Sequence, residues 1–194
     1  MEAISALKKI FVSEGFSKEV TSALLGNIKT ESGFKCITEN MNYSSIARLR
    51  TVFPSKFKTL TDAKVKTYVN NPKALGDLVY ASLGGYNFRG RGYIQITGKD
   101  NYTKYGKQYG VLEKPELAAD PTIAAKMAVQ YIKQVAFPLY KGDLNTCKDI
   151  NIVADIVSKA IQGPGKSYKS GFLLETLVER RKAANEIYKN YDKY

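Results

Sequence analysis

Between Lys18 and Thr30 the apolar residues Val20, Leu24 and Ile28 recur at helical spacing and form one stripe. Carried on at about 100° per residue, that stripe brings Glu31 to its centre. Gly33 then stops the helix. This stretch constrains the fold most, because it sets a carboxyl group on a face that neighbours must cover. Burial disfavours an ionised carboxylate, and so does the negative end of a helix dipole. Glu31 is therefore expected to be buried and to hold its proton firmly. Glu39 lies in polar sequence past the helix end and is expected to stay ionised. Two carboxyl groups pulled apart in this way match the acid and base that glycosidic bond cleavage requires. A plainer role fits the same pattern: a glutamate at such a place also serves as the partner of an arginine, or extends its carboxylate to solvent.

The chain of 194 residues has the size of one ordinary domain, or of one domain with two lobes. Its 44% hydrophobic content supports a real core, and no apolar run approaches the ~18–20 residues of a membrane span. Met1 to Val12 mixes apolar residues with Lys8 and Lys9 and lacks the pattern of a signal peptide. The expectation is a chain made in the cytoplasm without a leader. Histidine is absent, which excludes histidine-based catalysis and argues against zinc; no cofactor or metal is expected. Cys36 and Cys147 have no metal-ligand spacing; free thiols are the default, with one long-range disulfide left open. A net charge of +12, spread along the chain, points to an anionic partner: nucleic acid, an acidic membrane or a bacterial envelope.

Taken in order, the chain reads as mainly α. A first helix spans Met1 to Glu14, with Ile4, Leu7, Ile10 and Phe11 on one face, and Ser17 caps the second. Residues 33–44 form a loop. Helices follow over Ser44–Phe53, Thr61–Val69 and from Pro72 to about Leu83. Tyr93–Thr97 alternates like a short strand, so at most a small β-hairpin lies near residues 86–98. Gly90 and Gly92 permit backbone conformations closed to other residues, or close approach of a ligand. Arg89 and Arg91 beside Tyr86, Phe88 and Tyr93 suit gripping phosphate and stacking bases, and a tight structural turn between helices fits the segment at least as well. Lys99–Tyr109 is helical. Pro121 opens a strongly apolar helix to about Val135, read as the central core helix. Ile150–Ile161 is a further buried helix, Gln162–Gly165 a sharp loop, and Gly171–Tyr191 the closing helix. Its Arg180, Arg181 and Lys182 read as a solvated face.

Four stretches, in order and at fitting spacing over about residues 20–190, resemble glycoside hydrolase family 19, in particular its bacteriophage endolysin branch. They are Thr30-Glu31-Ser32-Gly33-Phe34; Glu39-Asn40-Met41-Asn42-Tyr43-Ser44 with Phe53–Phe57; Phe88-Arg89-Gly90-Arg91-Gly92-Tyr93-Ile94-Gln95-Ile96-Thr97-Gly98 with Asn101-Tyr102; and Lys159-Ala160-Ile161-Gln162-Gly163 followed by Glu179-Arg180-Arg181. The resemblance implies a two-lobed, lysozyme-like helical fold with a substrate cleft, acting as a single catalytic domain without a separate wall-binding module. It implies inverting cleavage of β-1,4 bonds in amino-sugar polymers. Glu31 then matches the general acid, Glu39 the base that activates water, and Thr97 the hydroxyl that holds that water. Gln95 and Asn101 match sugar-binding residues, and Arg180 an arginine near the acid. Tyr43, Tyr93 and Gln162 stand at further substrate positions. The fourth motif departs from the family, with Gln162-Gly163-Pro164 where Asn and two glycines are usual. An inverting pair needs its carboxyl groups ~6.5–9.5 Å apart, which the chain from Glu31 to Glu39 is easily long enough to allow.

Among substrates, a basic chain without a leader or a chitin-binding module suits peptidoglycan better than chitin. The expected setting is host lysis, with a monomer that is made in the host cytoplasm and acts on the wall after release. The Glu31-Ser32, Gly92–Ile96 and Ala160–Gln162 runs also look like lytic transglycosylases, which use one glutamate and no water. A non-enzymatic alternative is a basic, envelope-binding virion structural protein. Nucleic-acid binding has only the charge and the Arg-Gly-Arg-Gly run behind it and is not expected.

Overall fold

Small residues decide the architecture. In a computed structural model, which describes residues 2–163, 166 and 171–194, helix α1 (Glu2–Ser13) leads into α2 (Lys18–Ser32). Every residue of α2 from Glu19 to Ile28 is buried. Thr21, Ser22, Ala23 and Gly26 let neighbouring helices close in on sides where the stripe of Val20, Leu24 and Ile28 is absent. At Gly26 a Cβ would lie 2.6 Å from the backbone nitrogen of Ala184. The Ser17 side chain caps the helix by accepting from the Val20 N–H. Gly33, left-handed at φ 58, ends it as expected.

The chain divides into two compact units. One is drawn from Met1–Ile37, Gly92–Ile94 and Ala118–Tyr194, the other from Thr38–Arg91 and Gln95–Leu117. In the first unit α8 (Pro121–Tyr131), α9 (Ile150–Gln162) and α10 (Phe172–Lys189) join α1 and α2. Asp120 and Asp149 cap α8 and α9, each accepting from two backbone N–H groups. Helices α9 and α10 pack along α2, which is the central element. The expectation that residues 121–135 form the core helix is corrected: α8 gives way at Ile132 to a π-helical turn ending at Ala136. Hydrophobic pattern favoured α8 because α2 is covered through small and polar side chains, which carry little apolar signal. Cys36 and Cys147 are free thiols.

The second unit is built from short helices: α3 (Ile46–Val52), α4 (Pro54–Phe57), α5 (Asp62–Lys66), α6 (Pro72–Val79) and α7 (Lys99–Gly106). Ser45, Thr61 and Asn71 cap α3, α5 and α6 through their side chains. Proline opens α4 and α6, where its missing N–H costs nothing. Its core gathers Met41, Leu49, Phe57, Val65 and Leu75. An aromatic row from Tyr43 through Phe53 and Phe57 to Tyr68 lies against it, with ring centroids 5.3–6.5 Å apart. The helix expected to run to Leu83 stops at Val79, and a single 3-10 turn follows over Ala81–Leu83.

The only strands among the described residues, β1 (Ile37–Thr38) and β2 (Arg91–Gly92), pair in a two-stranded sheet. The strand expected over Tyr93–Thr97 is a turn instead. Arg91 and Ile96 exchange backbone hydrogen bonds at 3.2 and 3.0 Å, and Gln95 adopts a left-handed φ of 54°. The alternation of bulky and polar residues reflects a tight reversal, not a pleat. The fold is thus mainly helical with one minimal sheet. Among the described residues no helix is long and apolar enough to cross a membrane.

Gly26→Ala tests the close approach of α2 and α10. The new methyl must push against backbone, so a loss of about 2 kcal/mol is expected, read as a drop of several degrees in melting temperature. An unchanged melting curve would show that the two helices are not packed so tightly.

Candidate functional site

The chemistry-bearing residues fall into two groups, one in each unit. The first stands at the C-terminal end of α2. In its last turn Lys29, Thr30 and Glu31 are exposed, and Lys29 pairs with Glu186 of α10. Glu31 keeps 33% of its side-chain surface open to solvent, whereas the side chain of Arg180 keeps 6%. Arg180 reaches across from α10 and donates from Nη2 to Glu31 Oε1. Its Nη1 donates to Asn27 Oδ1 at 2.7 Å. The expectation that Glu31 is buried is corrected: the buried ion is its arginine. Periodicity gives the side on which Glu31 lies, but not how closely neighbouring helices cover it. The plainer role, partner to an arginine, is what Glu31 has in this structure.

The solvated face expected of Arg180, Arg181 and Lys182 also needs correction. Successive helical residues point about 100° apart, so Arg180 turns into α2 while Arg181 turns to α9. Arg181 grips Asp155 with two hydrogen bonds of 2.8 and 2.6 Å, which hold its proton above the usual arginine range. Gln162, the last residue of α9, donates from Nε2 to Thr176 Oγ1 at 2.7 Å. It is therefore tied to α10. Gly163 caps α9 with φ 128; Pro164 and Gly165 of the expected sharp loop lie outside the described residues. Tyr93, 6% exposed, belongs to the core of this unit and leaves little of its ring for a sugar. Burial, then Cys36 and Asp120, raise its phenol pKa above the usual tyrosine value. The turn at Gly92–Ile94 inserts it among apolar neighbours of the first unit.

The second group surrounds Glu39. The Tyr80 hydroxyl lies 2.7 Å from both carboxylate oxygens, and the Gly90 N–H donates to Oε2 at 3.1 Å. The Glu39 backbone is fixed as well: its N–H donates to Gly90 O at 2.8 Å, and Arg89 Nε donates to its carbonyl at 3.2 Å. Gly90 is where the expected site residues converge. A Cβ there would lie 2.9 Å from Gln95 Oε1, 3.2 Å from Thr97 Oγ1 and 3.5 Å from Glu39 Oε2. Glycine lets Gln95, Thr97 and Glu39 close in here through its missing side chain, not through an unusual φ. Gln95 is presented by its left-handed turn, a conformation that costs a non-glycine residue energy and often marks a working position. Thr97 Oγ1 donates to Gln95 O at 3.0 Å, and Asn101 Nδ2 donates to Thr97 O at 2.7 Å. Thr97 and Asn101 line one recess of about 360 Å³ together with Ser82, Leu83, Gly84 and Lys99.

Tyr43 borders the second group and packs edge-on against Phe53 at 5.4 Å. Burial first, and then the Glu39 carboxylate, push the Tyr80 phenol well above the usual tyrosine value. Tyr80 therefore keeps its proton and donates. Sequence spacing offered no sign of it, since 41 residues separate it from Glu39. Arg89 and Arg91 are not free to grip phosphate. Arg89 lies over the Tyr86 ring at 3.8 Å, and Arg91, 5% exposed, donates to Asn87 O and Tyr102 Oη. Both guanidinium groups are spent inside the second unit.

Residues 2–191 match the model of a family described as phage tail lysozyme. The chain belongs to the phage tail lysozyme family. It is also similar to a Haemophilus influenzae protein described as glycosyl hydrolase family 19 domain-containing protein, with 37% identity over 111 residues, 52% of this chain and 54% of that protein. The chain thus spans about half the length of the curated relative it matches. A member of a lysozyme family that keeps an oriented carboxylate beside a threonine hydroxyl and two amide side chains has the groups needed to bind a sugar and position a water.

Tyr80→Phe removes one donor from Glu39 without changing shape. Any glycosidase turnover that runs through Glu39 is expected to fall by roughly 10-fold or more. Because the phenol pKa is raised, Tyr80 stays neutral and donating across the neutral and mildly alkaline range, so the ratio of variant to wild-type rate should stay flat from about pH 6 to 9. A ratio that returns to one would remove Tyr80 from the site.

Proposed function

We propose that this member of the phage tail lysozyme family is a peptidoglycan hydrolase of the N-acetylmuramidase type. It cleaves β-1,4 glycosidic bonds with inversion, using two carboxyl groups. The observation that carries this reading is the Glu39 carboxylate, held by Tyr80 and the Gly90 N–H beside Thr97 and Gln95. A carboxylate aimed by two donors next to a hydroxyl is suited to drawing a proton from a water that the hydroxyl holds. Glu39 is thus the general base and Thr97 the water-holding residue. Gln95 and Asn101 bind the sugar through amide and hydroxyl hydrogen bonds, and Tyr43 lines the approach.

Glu31 is the general acid in this reading. Its Oε1 is engaged by Arg180. Arg180 orients the acid. Gln162 supports the end of α9 and acts on substrate only indirectly. The net charge of +12 favours collection at an anionic wall. The chain works as a monomer and as one catalytic domain; it is made in the host cytoplasm and acts on the wall after release.

Similarity to a glycoside hydrolase family 19 domain protein and membership of a lysozyme family both support the reaction class. The family's name supports a second setting, in which the enzyme travels in the phage tail and opens the wall from outside. Mass spectrometry of purified virions separates the two, since an endolysin is absent from the particle.

A digest of purified peptidoglycan by wild type, Glu31→Gln and Glu39→Gln tests the chemistry. Hydrated reducing ends are expected from wild type, with losses of at least ~100-fold in both variants. Anhydro ends lost only with Glu31→Gln would replace the reading by a lytic transglycosylase. Intact glycan with wild type, alongside tight wall binding, would make the protein an envelope-binding virion component; cleavage of chitin alone would make it a chitinase.

A further inference from the structure

Asn27 is a polar residue that the site described above does not use, and its position is unusual. It lies on α2 one turn before Glu31, fully buried, in a helix interior where burial of an amide has to be matched by hydrogen bonds. Those bonds are made. Its Nδ2 donates to Ala23 O at 2.9 Å and to Ser158 Oγ on α9 at 3.1 Å, which uses both amide hydrogens and fixes the side chain's orientation. Its Oδ1 then accepts from Arg180 Nη1. Ser158 is likewise fully buried. A chain of hydrogen bonds thus runs from α9 through α2 to α10 and returns to Glu31 at the end of α2.

Arg180 depends on this chain. Of its three guanidinium nitrogens, Nη1 is held by Asn27 and Nη2 by Glu31, while the buried Nε has no hydrogen-bond partner among the described residues. A planar group pinned at two nitrogens has one orientation; pinned at Glu31 alone it can turn about that contact. Asn27 is also uncharged, so it holds the guanidinium without competing with Glu31 for its charge.

We propose that Asn27 is a positioning residue for the hydrolytic reaction, which it serves by fixing the Arg180 guanidinium and through it the Glu31 carboxyl. The inference rests on the reading of Glu31 as the acid. Ser158 supports Asn27 in turn. None of these contacts reaches substrate, so the effect falls on the chemical step and not on binding.

The test is Asn27→Leu, close in volume and without hydrogen bonds, together with the milder Ser158→Ala should the first variant fold poorly. On peptidoglycan, kcat is expected to fall roughly 10- to 100-fold in Asn27→Leu with KM unchanged within about twofold, and by less in Ser158→Ala. In an Arg180→Gln background the Asn27→Leu substitution should have no further effect on kcat, because its route is already cut. Equal losses with and without Arg180, or a wild-type kcat in both single variants, would overturn the proposal. A second measurement needs no activity: the Arg180 Nη signals in nitrogen-15 spectra. Slow rotation in wild type and averaged signals in Asn27→Leu support the positioning role; signals unchanged by the substitution overturn it. Intact Arg180 ordering with no release of sugar by wild type would instead refute the hydrolase reading and leave the arrangement of Asn27 standing.

Discussion

The buried guanidinium of Arg180 is the constraint around which the first unit is arranged. A cation taken out of water must meet a counter-charge and fill its hydrogen bonds, or it costs several kcal/mol. Here the counter-charge is Glu31, itself partly in solvent, and the neutral partner is Asn27. Meeting both requires α10 to lie close on α2. Gly26 and Ala184 make that approach possible, and Ser22, Ala23 and Thr21 allow the same closeness on other sides. The helix that carries Glu31 is therefore enclosed from Glu19 to Ile28, while Lys29, Thr30 and Glu31 in its last turn are exposed.

The second unit solves a related problem differently. Glu39 sits on a short loop after β1, where no helix can aim it. Its backbone is tied to Gly90 and Arg89, and its carboxylate to Tyr80 and the Gly90 N–H. Gly90 serves both purposes because it has no side chain to keep Gln95 and Thr97 at a distance. One carboxylate is thus positioned by a buried cation, the other by neutral donors.

Much of this could be read from the chain alone. Ser17, Thr61, Pro72, Pro121 and Gly33 mark helix ends by chemistry that acts within a few residues, and the structure follows them. Glu39, Gln95, Thr97 and Asn101 were found through motif resemblance, and the structure gathers them in the second unit. What failed had non-local causes. The exposure of Glu31 depends on how the neighbouring helices lie around the last turn of α2, and the burial of Tyr93 on a turn that mimics strand alternation. Tyr80 and Asn27 make their contacts across long stretches of chain or from within an apolar-looking helix. No spacing rule marks them, because hydrogen bonds between distant segments leave no periodic trace.

The most direct test of this account is the coupling between Glu31 and Arg180, measured as a double-mutant cycle in folding stability with Glu31→Gln and Arg180→Gln. If Glu31 is the counter-charge of a buried cation, removing it alone strands Arg180, and the double variant should lose clearly less than the sum of the single losses. A coupling of at least about 1 kcal/mol is predicted. Additive losses, within about 0.5 kcal/mol, would contradict the claim that this pair organises the end of α2.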